Sequence, residues 1–216
     1  NLYLPLVRYV EEIEPASLSR RGVSERDRLQ PTDPQSQLLI QVLEPLGVEH
    51  SSLFHWRGGG FECDAELIGA PTFLVGSNVL TGASEREQMF LVARTAELYR
   101  SGHTFCSRMD PKALQEVLSA LALAIDPSLT VPGDSDRIRR MTTRIEGSLT
   151  ESLKESMKVK ASAYQSEIGY SDVIAWKEAS LSTACRTALL LTCDLNEAVD
   201  TLFRFYDRDV ATYEER

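Results

Sequence analysis

The chain has 216 residues, of which 43% are hydrophobic and 25% charged, enough apolar content to fold as one large or two small soluble domains and too much for wholesale disorder. Its 32 acidic side chains outnumber 23 basic ones, for a formal charge of -9, which argues against an electrostatic grip on nucleic acid or on an anionic membrane. No apolar run approaches the ~20 residues that cross a bilayer, and the start NLYLPLVRYVEE lacks the regions of a signal peptide, so a cytoplasmic location is expected.

Residues 1–10 alternate loosely at Leu2, Leu4 and Leu6, as a short strand or extended arm would. The stretch SLSRRGVSERDRLQPTDP, residues 17–34, has the composition of a solvated linker, so residues 1–34 are expected as an arm or linker and 35–216 as the organised domain. Because the chain starts without methionine, it is expected to be a fragment or a processed product. Gln35–Leu46 places Leu38, Leu39, Val42, Leu43 and Leu46 on one helical face, and Gly47 supplies a stop. SSLFHWR, FECDAELI and PTFLVG, divided by Gly and Pro, read as short strands.

Ser84 and Glu87 have capping-box spacing and open a helix with Met89, Val92, Ala96 and Tyr99 on one face, widened by Phe90, Leu91 and Leu98; Ser101-Gly102 ends it. Asp110-Pro111 opens the next helix, with a stripe of Leu114, Val117, Leu118, Leu121 and Ile125. Residues 134–167 are helical in propensity but thin in apolar content and rich in Arg137, Arg139, Arg140, Arg144, Lys154, Lys158 and Lys160, which predicts an exposed helical pair. A long helix is expected from Ser171 to about Cys193. Asp194 and Glu197 then repeat the capping-box spacing, opening a last helix with Ala198, Val199, Leu202 and Phe203 inward.

This order, with strands ending in PTFLVGSNVL, then the capped helix SEREQMFLVARTAEL, then a later helix with ACRTALLL, resembles the zinc-dependent gluzincin peptidases of the M48 type. The resemblance covers roughly residues 51–203 and rests on hydrophobic pattern and element order. It implies a mainly helical α+β fold of zincin type, with a small antiparallel or mixed sheet on a helical core.

In that family an HExxH helix holds zinc through two imidazoles one turn apart, its Glu activates the bound water, and a later ExxxD helix supplies the third ligand. Laid on this chain, the five positions fall at Arg94, Thr95, Ala96, Glu97 and Leu98, and the later motif falls at Leu181 and Cys185, with Arg186 retained. A guanidinium has no lone pair to give, and Leu none either, so the resemblance implies a retained scaffold whose metal site is gone. The competing reading is that these are simply buried helices. A buried Arg94 needs a carboxylate, and Glu97, Glu178, Glu87 and Asp194 are candidates for a pair that would tie the helices in place of a metal.

Other chemistry has weaker support. His55 and His103 with Cys63 or Asp64 form a conceivable metal cluster that no spacing demands, and Cys106 or Cys185 near His103 would be a thiol nucleophile. Cys63, Cys106, Cys185 and Cys193 show no CxxC pair and are expected as free thiols. Gly58–Gly60 precedes a strand rather than a helix, so it reads as a hairpin turn or loop and not as a phosphate cradle. The basic run at 137–144 reads as a solvated face.

With catalysis removed, the reading is a non-catalytic, peptidase-like interaction or scaffold domain of a larger cytosolic bacterial protein, a pseudoenzyme needing no cofactor and binding a protein or peptide partner. The resemblance adds an expectation of tetratricopeptide-type neighbour domains. The rivals are a metal-dependent hydrolase with unusual ligands, a thiol enzyme, and a purely structural helical domain.

Overall fold

In the computed structural model, the described residues are 18–48, 50–66, 71–133, 135–167 and 170–214. The expected N-terminal strand or arm at 1–10 lies outside them. The chain forms two compact units, one containing Phe105–Ser180 and the other Ala16–Thr104 with Leu181–Arg216. The fold is mainly helical α+β with one small sheet, as the sequence predicts.

In the second unit, helix α1 (Pro34–Leu43) is extended by a 3-10 turn to Leu46 and stopped at Gly47, whose φ of 69° is the left-handed conformation that glycine adopts without strain. Strands β1 (Ser52–Trp56), β2 (Cys63–Glu66) and β3 (Thr72–Gly76) form a three-stranded sheet in the order β1-β3-β2. β1 runs parallel to β3 and β2 antiparallel to it, so the sheet is mixed. Short helix α2 (Ser77–Gly82) leads into α3 (Glu85–Arg100), and the last helix, α9 (Leu195–Glu214), follows α8 (Tyr170–Thr192).

Alternation along the strands gives the sheet two different faces. Leu53, Phe73, Val75 and Ala65 join Leu39, Val42 and Leu43 of α1 and Phe90, Leu91, Ala93 and Ala96 of α3 in one core. Phe54, Trp56 and Leu74 point the other way and are covered by Val23 and Leu18. The stretch after residue 17 is therefore no solvated linker: Leu18–Arg21 and Glu25–Asp27 are 3-10 turns, and Val23 is buried. Arg21 fixes it in place, stacking over Trp56 at 5.1 Å and pairing with Asp64 at 3.0 Å and Glu66 at 3.3 Å.

Residues 58–60 are not a hairpin turn, because β1 and β2 are not neighbours. The loop crosses the end of β3, where Asn78 N–H donates to the Gly60 carbonyl (2.9 Å) and Gly76 N–H to that of Glu62 (2.8 Å). A Cβ at Gly76 would stand 2.4 Å from the Gly60 oxygen, closer than backbone atoms tolerate.

In the first unit, α4 (Thr104–Arg108) precedes α5 (Pro111–Ile125), whose cap Asp110 accepts from Ala113 N–H as predicted, and α6 (Ser135–Glu146) and α7 (Glu151–Glu167) pack on α5. The pair expected to be exposed contributes Ile138, Met141, Ile145, Met157 and Ala161 to a core with Leu114, Val117, Leu121 and Ile125. Sparse apolar residues suffice because three of them sit on one stripe of α6. The basic face is partly engaged as well, since Arg137 pairs at 3.0 Å with Glu116, which is buried.

Gly76→Ala should lower stability by about 2–4 kcal/mol, because the obstruction is backbone that cannot yield. Gly82→Ala, which meets nothing within 4 Å, should be neutral or slightly stabilising. Urea-unfolding midpoints of the two variants check the contrast.

Candidate functional site

The candidate positions centre on α3. Its start is built as the sequence predicts: Ser84 Oγ accepts from Glu87 N–H (3.2 Å) and the Glu87 carboxylate from Ser84 N–H (2.7 Å). From Glu87 to Leu98 nearly every residue is buried, so α3 is a central helix without a solvent face over that span. Its polar side chains must then find partners inside.

Thr95 donates to the Leu91 carbonyl at 2.9 Å and approaches the Cys63 carbonyl of β2 at 3.3 Å, while Leu98 is buried outright. Glu97 is held by a forked pair with Arg100, at 2.8 and 3.0 Å, one turn along the same helix. It therefore does not serve Arg94.

Arg94 is only 5% exposed, and its Nε has no hydrogen-bond partner. No carboxylate pairs with it among the described residues: Glu87 pairs with Arg204 and Asp194 with Arg86. Its guanidinium lies over the Phe205 ring of α9, 4.9 Å from the centroid. The expected Arg–carboxylate tie is thus replaced by an Arg–aromatic one. A ring face attracts a cation without hydrogen-bonding the in-plane N–H groups, so the contact leaves Nε unsatisfied.

The later motif is only partly drawn to this core. Cys185 is half-buried against the apolar cluster that includes Phe90 and Ala93, whereas Leu181, also half-buried, is not among the side chains packed there. Glu178 and Arg186 are exposed and are not partners of Arg94, and Glu178 belongs to the other unit. The helix that clasps α3 is α9 rather than α8. Beyond Phe205, Arg86 pairs with Asp194, Ser84 Oγ donates to Glu197, and Arg204 pairs with Glu87 while stacking over Phe61 at 4.2 Å.

This also alters the reading of α9. Asp194 accepts from Glu197 N–H at 3.1 Å, but the Glu197 carboxylate turns to Ser84 instead of closing the box. The Glu197 N–H and the Arg86 guanidinium hold the Asp194 carboxyl below its ordinary range. Ala198 is buried as expected, yet Val199 and Phe203 are 40% and 65% exposed, not inward.

Among the described residues, no three His, Cys, Asp or Glu side chains converge as a metal site would require. Burial pushes the Cys63 thiol well above its ordinary value, and the nearby Asp64 charge adds to the effect against the pull of Arg94, so this sulfur is a protonated thiol. The Cys106 side chain lies outside the described residues. Burial also pushes the His103 imidazole down, against the Glu97 charge.

His55 Nε2 lies 2.7 Å from Ser77 Oγ, a pair the sequence did not suggest because His55 lies in β1 and Ser77 opens α2, 22 residues further on. Their spacing is that of a base and a nucleophile. However, the next N–H, that of Asn78, is committed to the Gly60 carbonyl and is not available to a developing oxyanion. The pair instead fastens β1 to the start of α2.

No protein-family model, curated protein or solved structure matches the chain.

Two outcomes follow from the geometry of α3. Arg94→Met should leave stability unchanged or raise it by on the order of 1 kcal/mol, because it removes a desolvated cation with an orphaned N–H; a carboxylate-paired arginine would instead lose about 3–5 kcal/mol. Urea titration separates the two. Iodoacetamide at pH 8 should label Cys193, which is exposed, well before Cys63, with mass spectrometry of the peptides reporting the order.

Proposed function

We propose that this chain is a non-catalytic, peptidase-like interaction or scaffold domain of a larger cytosolic bacterial protein. The carrying observation is Arg94: at the position where the resemblance puts a zinc ligand stands a desolvated guanidinium stacked on Phe205. A fixed cation there repels a second cation, and its neighbours Thr95 and Leu98 bring no imidazole. The residues present do not fit zinc.

What supports an interaction role is the way α9 is presented. Its inner side is fixed by Phe205, Ala198 and polar contacts to α3, while its outer side leaves apolar residues in solvent. No helix among the described residues is long and apolar enough to cross a membrane, and the acidic composition does not favour an anionic lipid or nucleic acid as the partner.

The reading is tested by elemental analysis of protein produced with zinc in the medium, together with casein and peptide hydrolysis with and without chelator. Well under a tenth of an equivalent of zinc and no chelator-sensitive hydrolysis are expected. Stoichiometric zinc, or hydrolysis that a chelator abolishes, would return the chain to the peptidases.

A further inference from the structure

Among the described residues, five large hydrophobic side chains are exposed, and three of them, Leu195 (62%), Val199 (40%) and Phe203 (65%), lie on α9. They are spaced four residues apart and so form one row along the helix. The adjoining flank of α9 is the one that packs inward, with Ala198 and Thr201 buried and Leu202 and Phe205 against the core. The exposed row is therefore a second apolar border of a helix that is already docked.

Beside that row lies an open groove of about 690 Å³, with Phe203 on its wall and Glu87, Asp194, Glu197 and Asp200 around it. The cations there are already committed, Arg204 to Glu87 and Arg86 to Asp194. Four carboxylates against two guanidinium groups leave a formal excess of two negative charges along the apolar row. Asp200 is exposed and has no ion pair among the described residues.

We propose that this face of α9 is a docking surface for an amphipathic helix of a partner protein, one that carries Lys or Arg along one border of its apolar stripe. The partner's apolar side chains would lie on Leu195, Val199 and Phe203, and its basic border on Asp200 and Glu197. Charge decides among possible occupants. A second copy meeting through this face would bring like carboxylates together, and an anionic lipid surface would be repelled by the same groups. The proposal deepens the interaction-domain reading by naming its surface and partner class.

The test uses the whole chain and a fluorescent synthetic helix of about 18 residues, with leucines on one stripe and lysines on its border. A control peptide has glutamate in place of lysine. Anisotropy should show micromolar binding of the lysine peptide, weakening as salt rises, and no binding of the control. The double variant Val199→Ser with Phe203→Ser, and separately Asp200→Lys, should each weaken binding about tenfold or more with unchanged circular dichroism. Binding that the serine substitutions leave untouched would reduce the effect to charge alone and overturn the proposal. So would absence of binding, or a dimer seen by light scattering that the double variant dissolves.

Zinc measured on the same preparation keeps the two readings apart. A zinc-bearing chain that binds the peptide loses only the non-catalytic reading, and a zinc-free chain that ignores it loses only this surface.

Discussion

A helix buried from Glu87 to Leu98 cannot leave its polar side chains to water, and much of the second unit is arranged around that constraint. Gln88 reaches the Ala83 carbonyl at 3.1 Å and is met by Gln35 from α1 at 3.1 Å. Glu87 closes the cap and pairs with Arg204; Thr95 bonds one turn back; Glu97 takes Arg100. Each of these partners sits on an element that packs against α3 or on α3 itself. Arg94 is the exception: its contact with Phe205 compensates charge but not hydrogen bonding, which localises the least satisfied buried group of the helix to one atom, Nε.

The sheet obeys a related rule on its far side. β2 alternates Cys63 and Ala65 inward with Asp64 and Glu66 on the face that also carries Phe54, Trp56 and Leu74. Two carboxylates bordering an apolar layer need a cation that can also lie on it. Arg21 meets both needs, with its guanidinium over the Trp56 ring and its nitrogens toward both acids. That requirement explains why a segment with the composition of a linker is part of the fold.

Features that depend on local chemistry were legible in the sequence: the Ser84–Glu87 box, the Asp110 cap, the Gly47 stop and the strand segments between glycines. Their determinants lie within a few residues of one another, so spacing reveals them. What was not legible involves distant partners. Nothing in SLSRRGVSERDR announces that Arg21 will meet Trp56, and nothing near Arg94 points to Phe205. The side of α9 was misjudged for a different reason. Its apolar residues from Leu195 to Phe205 cover nearly half the circumference, and a 3.6-residue period then fixes the arc but not which edge of it faces the core. The site was legible to the same degree: that Leu98 would be buried followed from the pattern of α3, and a buried Arg94 was an expectation of the resemblance alone, whereas the helix that would cover it was not legible at all.

The contacts that hold α9 to α3 also determine what α9 shows to solvent. Asp194 is fixed by Arg86 and by its cap, Glu197 by Ser84, and Glu87 by Arg204, so three of the four groove carboxylates are already ordered. A partner meeting that groove would have little side-chain freedom left to remove there, and ordering long side chains is among the larger costs of association. Phe203, ahead of Phe205 by two residues, points outward because Phe205 is turned in to cover Arg94. The buried cation and the exposed ring are thus two consequences of one helical register, and a change that turned α9 about its axis would alter both together.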